Sequence, residues 1–229
     1  MASSFPSSLD AFTNPSSTDA MDSVSVPHAT QHADLNDAVE ALEAKVGADS
    51  SAVSSSHDYK IAQLEGRDTA GLVHISRTTI GSAVSSVTVS GAFSSTYDNY
   101  RIVVTGGTPS NTTDMWLKLG ATTTGYYFGG KARFYAGSDA DKNAQNFARW
   151  FVGTNGASNS MGLDVMVMGP NLATETTYFT QVRGVYTTGA GGAVGGFLDD
   201  STQYTSFIIE PTVGTLTGGT IDVYGYAKA

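Results

Sequence analysis

Residues able to do chemistry are few in this chain, and their spacing decides how far each can be taken. His28 and His32 stand four apart, so on a continuous helix they share a face and could hold a metal through two imidazoles. Between them lie Ala29, Thr30 and Gln31, so the glutamate of a hydrolytic HExxH site is missing. Helix capping or polar packing is the ordinary role of such a pair. In "SDADKNAQNFARW", Asp139, Asp141 and Asn143 occupy positions 1, 3 and 5 of a calcium loop. Ala144 then replaces the turn glycine and Trp150 the bidentate glutamate, which leaves a polar surface loop as the expectation. "GAGGAVGGFLDDST" lacks the Lys-Ser/Thr ending of a phosphate loop and reads as a flexible loop or a glycine-rich hairpin. Asp199 and Asp200 are adjacent, so on a strand they would point to opposite faces rather than flank a glycosidic bond about 5 to 10 Å apart. His28, His32, His57 and His74 are the four histidines, and they support no Ser-His-Asp arrangement. No catalytic residue, metal ligand set or cofactor is assigned.

Binding chemistry is better supplied. "GYYFGGKARFY" brings Tyr126, Tyr127, Phe128, Phe134 and Tyr135 into one glycine-flanked segment, with Trp150 and Tyr204 in other predicted strands. Such rings stack on sugars while adjacent polar groups hydrogen-bond the hydroxyls, which makes Tyr126, Tyr127, Tyr135, Trp150 and Tyr204 the ligand-binding candidates. Alternation along a strand turns roughly half of such side chains inward, so part of this set belongs to a core.

Composition narrows the classes. The 229 residues suffice for one sizeable β-domain with an extension. A net charge of −9 with only 12 Lys and Arg spread along the chain argues against a nucleic-acid partner, which needs clustered cations. Absence of cysteine removes disulfides, thiolate metal sites and a cysteine nucleophile. "MASSFPSSLDAF" lacks the basic-then-apolar pattern of a secretory signal, and no window approaches the roughly 20 apolar residues of a membrane span, so membrane insertion is not expected.

Three zones must position these residues. Residues 1–26 are rich in Ser, Thr, Asp and Pro and cannot build a core; Leu9 and Phe12, with Pro6 and Pro15 beside them, read as small anchors for a partner surface. Residues 27–71 form a helical stem and linker. Pro27 suits the first turn, Asp34 or Asp37 would favour the positive end of the helix, and Gly47 is placed to end it in a left-handed conformation. Leu35, Val39, Leu42 and Val46 are spaced 4, 3 and 4, the a/d stripe of a coiled coil. His28 and His32 precede Leu35 by 7 and 3 residues and so extend that stripe. A Ser-rich joint follows, then Ile61 and Leu64, out of heptad register with Val46, before Gly66 and Gly71 break the pattern. From residue 72 to 229, about ten short runs rich in Val, Ile, Thr, Tyr and Phe predict an antiparallel β-sandwich, jelly-roll-like, with no helices for a parallel fold.

The segment "FPSSLDAFTNPSSTDAMDSVSVPHATQHADLNDAVEALEAKVGADSS" resembles the N-terminal module of bacteriophage tail-fibre and minor tail proteins, a "LDxFxNP" leader followed by "HxxQHxxLNDAxEALExKxG". "STYDNYRIVV" and "SFIIEPTVGTLTGGTIDVYGYAKA" resemble the β-sandwich heads of small phage fibres. Together these segments cover roughly a third of the chain, and the N-terminal one is the more specific.

What the resemblance implies is a homotrimeric virion component on the phage particle surface. Its leader, with Leu9, Phe12 and Pro15, would dock on other virion proteins, and its β-head would meet a host-surface glycan or protein. Three copies would bury the Leu35, Val39, Leu42 and Val46 stripe; the trimer comes from the resemblance, since Val at a with Leu at d does not choose it. A helix lying on its own β-domain would use the same stripe. The rival readings are a structural or decoration protein, such as a capsid head fibre, and a small glycan-degrading enzyme.

Overall fold

The protein is described by a computed structural model covering residues 5, 7, 18–22, 24, 27–67, 71–183 and 190–228. Leu9, Phe12 and Pro15 lie outside the described residues. The chain divides into two compact units, Met1–Thr69 and Ala70–Ala229.

The first unit carries helices α1 (His28–Val46) and α2 (His57–Arg67). Pro27 is the extended N-cap of α1, and its carbonyl accepts from the Gln31 N–H at 3.1 Å. The helix therefore starts at His28, which leaves Asp34 and Asp37 well beyond the first turn, and no acidic residue lies within it. The expected charge–dipole contact is thereby lost, because that interaction decays within one turn. Gly47 ends the helix at φ +89° and ψ 153°, donating to the Glu43 carbonyl. Its φ is positive as expected, but its ψ is extended rather than left-handed helical.

The Ser-rich joint is held by the side chains of Ser51, Ser56 and Asp58. Ser56 is buried and its hydroxyl accepts from the Tyr59 N–H, capping α2, while Asp58 accepts from the Ser51 N–H at 2.8 Å. Gly66 does not break the second pattern, since α2 continues to Arg67.

Among its described residues the second unit contains fourteen strands: β1 (Leu72–Thr79), β2 (Val87–Val89), β3 (Asn99–Thr105), β4 (Thr108–Pro109), β5 (Thr113–Leu119), β6 (Tyr126–Phe134), β7 (Asp139–Phe147), β8 (Trp150–Asn155), β9 (Gly162–Met168), β10 (Thr176–Arg183), β11 (Ala190–Leu198), β12 (Phe207–Pro211), β13 (Leu216–Thr217) and β14 (Thr220–Tyr226). Eight form one sheet in the order β1-β14-β3-β9-β10-β11-β6-β7, and four form a second, β2-β12-β5-β8. β4 and β13 make a small ribbon. Every pairing is antiparallel.

The two sheets pack face to face over alternating inward side chains: Ile102, Val104, Val165 and Val223 from the larger, Leu117, Leu119, Phe207 and Ile209 from the smaller. Trp150 sits in the middle, edge-on to Tyr126 at 5.2 Å and stacked on Tyr178 at 4.5 Å. Polar tips then tie the layers together. Tyr126 Oη accepts from the Leu119 N–H at 2.8 Å, and Tyr178 Oη donates to the Phe151 carbonyl at 3.0 Å. Burial pushes both phenols well above their ordinary pKa, so they remain donors.

The segment read as a polar loop is a strand, and the glycine-rich run, read as a loop or a hairpin, is the second strand of the β10–β11 hairpin. "DADKNAQNF" is β7, the outer edge of the larger sheet, where Arg133 and Lys131 of β6 pair with Asp139 and Asp141. Asp139, Asp141 and Asn143 thus lie along an extended strand rather than in the loop that their spacing suggested. The glycine-rich run is β11, central between β10 and β6. A Cβ on Gly196 would lie 2.7 Å from the Phe128 Cα and closer still to the Tyr127 carbonyl oxygen, and Gly192 and Gly130 meet the facing backbone in the same way. Only glycine allows β6 and β11 to approach this closely.

The remaining sequence similarities quoted for the head meet in one place. β3 pairs with β14, and the Tyr97 ring fills the space where Gly225 would carry a Cβ. Tyr100 Oη accepts from the Ser94 N–H and donates to the Ser94 carbonyl, closing the turn that leads into β3.

Candidate functional site

Along α1, positions 28, 32, 35, 39, 42 and 46 form one continuous 4-3-4-3-4 stripe. Helix α1 buries no residue: Leu35 is 56%, Val39 45%, Leu42 51% and Val46 49% exposed. Soluble helices rarely leave such a stripe in water, because each large apolar side chain is worth about 1.5 to 3 kcal/mol when fully covered. At its N-terminal end the stripe turns polar. His28 and His32 stand edge to face with centroids 4.3 Å apart, and their Nε2 atoms hydrogen-bond at 3.0 Å.

The head presents a second surface on the outer side of the larger sheet. Tyr127 of β6 and Phe197 of β11 are register partners whose rings stack at 4.9 Å with planes 4° apart. One row along, Gly129 and Gly195 face each other without side chains, and Phe179 of β10 leans over Gly195. Phe197 and Phe179 remain 39% and 44% exposed. The result is an aromatic rim beside bare backbone, a shape on which the flat face of a sugar can rest.

Of the five sequence candidates, the sheet brings only Tyr127 to this rim. Tyr126 and Trp150 are fully buried in the central ring cluster, so neither has a face to offer a ligand. Tyr204 lies in the loop before β12, not in a strand, and is also buried. Its hydroxyl bonds to Asp200 Oδ2 at 2.5 Å and Thr122 Oγ1 at 2.6 Å, and burial together with the Asp200 contact raises its pKa. Asp200 is thus committed to structure. Tyr135 is 65% exposed at the β6–β7 turn, eight residues from Tyr127 and so about 26 Å away along an extended strand. Phe179 and Phe197 escaped notice in the sequence; the alternation Phe179, Gln181 and Arg183 against Tyr178, Thr180 and Val182 was the signal that could have placed Phe179 outside.

Several ionisable groups of the second unit are matched with opposite charges. Buried Asp222 accepts from Arg77 Nε at 2.7 Å and contacts His74 Nε2 at 3.2 Å, and the Arg77 hydrogen bond chiefly holds its carboxyl below the ordinary range. Arg101 forms a two-pronged pair with Asp164. Glu210 takes Arg149 and Lys118, with the Arg149 guanidinium 4.9 Å above the Trp116 ring. Among the described residues no group of three or more His, Cys, Asp or Glu side chains could hold a metal ion within one chain. No protein-family profile matches this chain, nor does any curated protein sequence.

Proposed function

We propose that this chain is a bacteriophage virion fibre protein, attached by residues 1–26, assembled as a homotrimer through a coiled-coil stem, and carrying a jelly-roll-like β-sandwich head that binds a host-surface glycan. The observation that carries the reading is the exposed heptad stripe of α1. A helix whose apolar stripe stays about half exposed among the described residues is suited to meet copies of itself. Support also comes from the resemblance of residues 5–51 to fibre attachment modules, and from the aromatic rim formed by Tyr127, Phe197 and Phe179. On this reading the protein is no enzyme: it works by holding several weak sugar contacts at fixed spacing, so that avidity replaces single-site affinity.

Light scattering on the full chain and on a Leu35→Asp, Leu42→Asp double variant tests the stem. A mass of three chains that falls to one in the variant supports the reading; one chain in both refutes the free-standing fibre. One observation favours decoration without an essential receptor, namely that three of the five candidate rings lie in the core. Binding of the full chain to host cells, lost on Tyr127→Ala and Phe179→Ala, separates the two.

A further inference from the structure

Resting on the self-associating stem proposed above, we propose that assembly of α1 completes a transition-metal site from His28 and His32 of the associating copies. The pair is half of a chelate already. Two imidazoles one turn apart place their Nε2 atoms 3.0 Å from each other, close to the spacing of two nitrogens that each sit about 2.0 to 2.1 Å from one metal ion. In a single chain the set stops at two ligands, and no third His, Cys, Asp or Glu joins it among the described residues. What completes it is the stripe itself, because His28 and His32 continue the spacing of Leu35, Val39, Leu42 and Val46 and turn to the same axis.

The order of residues along the stripe selects the arrangement. An antiparallel bundle would bury imidazoles against Leu42 and Val46 of a neighbour, where the ring nitrogens outside the His28–His32 bond would find no polar group, which is costly in an apolar seam. A parallel bundle sets apolar layers against each other and gathers the imidazoles at one end. Flanking positions do not oppose this: Ala29, Gln31, Asn36 and Ala38 beside the histidine half of the stripe carry no charge. Three copies supply six ring nitrogens in two layers, an all-nitrogen set suited to Ni²⁺, Co²⁺ or Zn²⁺ and not to Ca²⁺ or Mg²⁺, which take oxygen. Bound metal would lock the helices in parallel register at the end nearest the leader.

Titration calorimetry of Ni²⁺ into the untagged full chain, with mass measured on the same samples, tests this. The expected result is one tight ion per assembly rather than per chain, binding at least 100-fold weaker in Leu35→Asp, Leu42→Asp, and none in His28→Gln, His32→Gln although that variant keeps its assembled mass. An assembled wild-type chain that takes up no Ni²⁺, Co²⁺ or Zn²⁺ at 100 µM or so overturns the metal site and leaves the fibre reading standing. Equal affinity in the Leu35→Asp, Leu42→Asp variant overturns it too, because the site would then need no partner. A monomeric wild type sinks both inferences together.

Discussion

Gly196→Ala probes whether the close approach of β6 and β11 is what demands a glycine-rich strand. A methyl group there would sit 2.7 Å from the Phe128 Cα and deeper still inside the Tyr127 carbonyl oxygen. Both obstacles are backbone, so no rotamer change relieves them. Restoring an ordinary contact requires the strands to part by about 1 Å, which stretches the two nearest ladder bonds beyond hydrogen-bond range. Losing two such bonds costs about 1 to 3 kcal/mol, and strain in the adjoining core adds about 1 to 2 kcal/mol. A total of about 2 to 5 kcal/mol lowers Tm by roughly 5 to 15 °C for a domain of this size. Gly129→Ala is the matched control on the facing strand, since a Cβ there meets nothing within 4 Å; its effect should stay within about 0.5 kcal/mol. Trp116 and Trp150, the two tryptophans, both lie in the head, so thermal melts followed by tryptophan fluorescence report this unit alone. Equal Tm values for the two variants would refute the steric argument.

Other outcomes follow from the same geometry. Trp150→Ala empties the space between Tyr126 and Tyr178 and should cost about 3 to 5 kcal/mol, read as a lower urea midpoint at unchanged m. Tyr127→Ala, on the outer rim, should leave Tm within a few degrees while weakening the glycan binding proposed for that rim, whereas Tyr126→Ala should unfold the head at much lower temperature. Asp222 has its carboxyl pKa lowered in the folded state by Arg77, so its stabilising contribution is complete above the unfolded value of about 3.9 and fades as pH falls through the folded value. Asp222→Asn should therefore be less stable than the wild type at neutral pH, with the gap in urea midpoint narrowing below about pH 4.

Much of the β architecture was legible because its strands advertise themselves. Ten runs with β-branched and aromatic residues each correspond to a strand, and Tyr100, Ile102 and Val104 alternate inward as the pattern requires. Of the two long strands outside those runs, one was missed and the other left open between loop and hairpin, for opposite reasons. β7 is an edge strand whose inward face offers only Ala140, Lys142 and Ala144, so its alternation carries little apolar signal. β11 is central, but its packing is done by backbone; only Ala190, Val194 and Leu198 carry buried side chains, at every fourth position. The ring candidates show the same limit: Tyr126 and Tyr127 are adjacent and chemically identical, and only the sheet's orientation sends one to the core and the other to the surface. On α1, local spacing sufficed for the helix and its stripe, yet the N-terminal boundary lay earlier than Asp34 implied, because Pro27 and the Gln31 bond start the helix at His28.

The charge pattern of β7 bears on how the protein behaves when crowded. An eight-stranded sheet ends in unpaired N–H and C=O groups, and a smooth apolar edge would recruit the edge of another molecule into a growing aggregate. Here the outermost strand reads Asp139, Ala140, Asp141, Lys142, Asn143, with Lys142 drawn across to Asp114 at 2.9 Å and a bulge where β7 pairs with β6 between Tyr126 and Phe128. Any strand docking on that edge must desolvate charges and match an irregular register. The β7 edge is therefore insulated against edge-to-edge polymerisation, so crowded copies do not join through this side of the sheet.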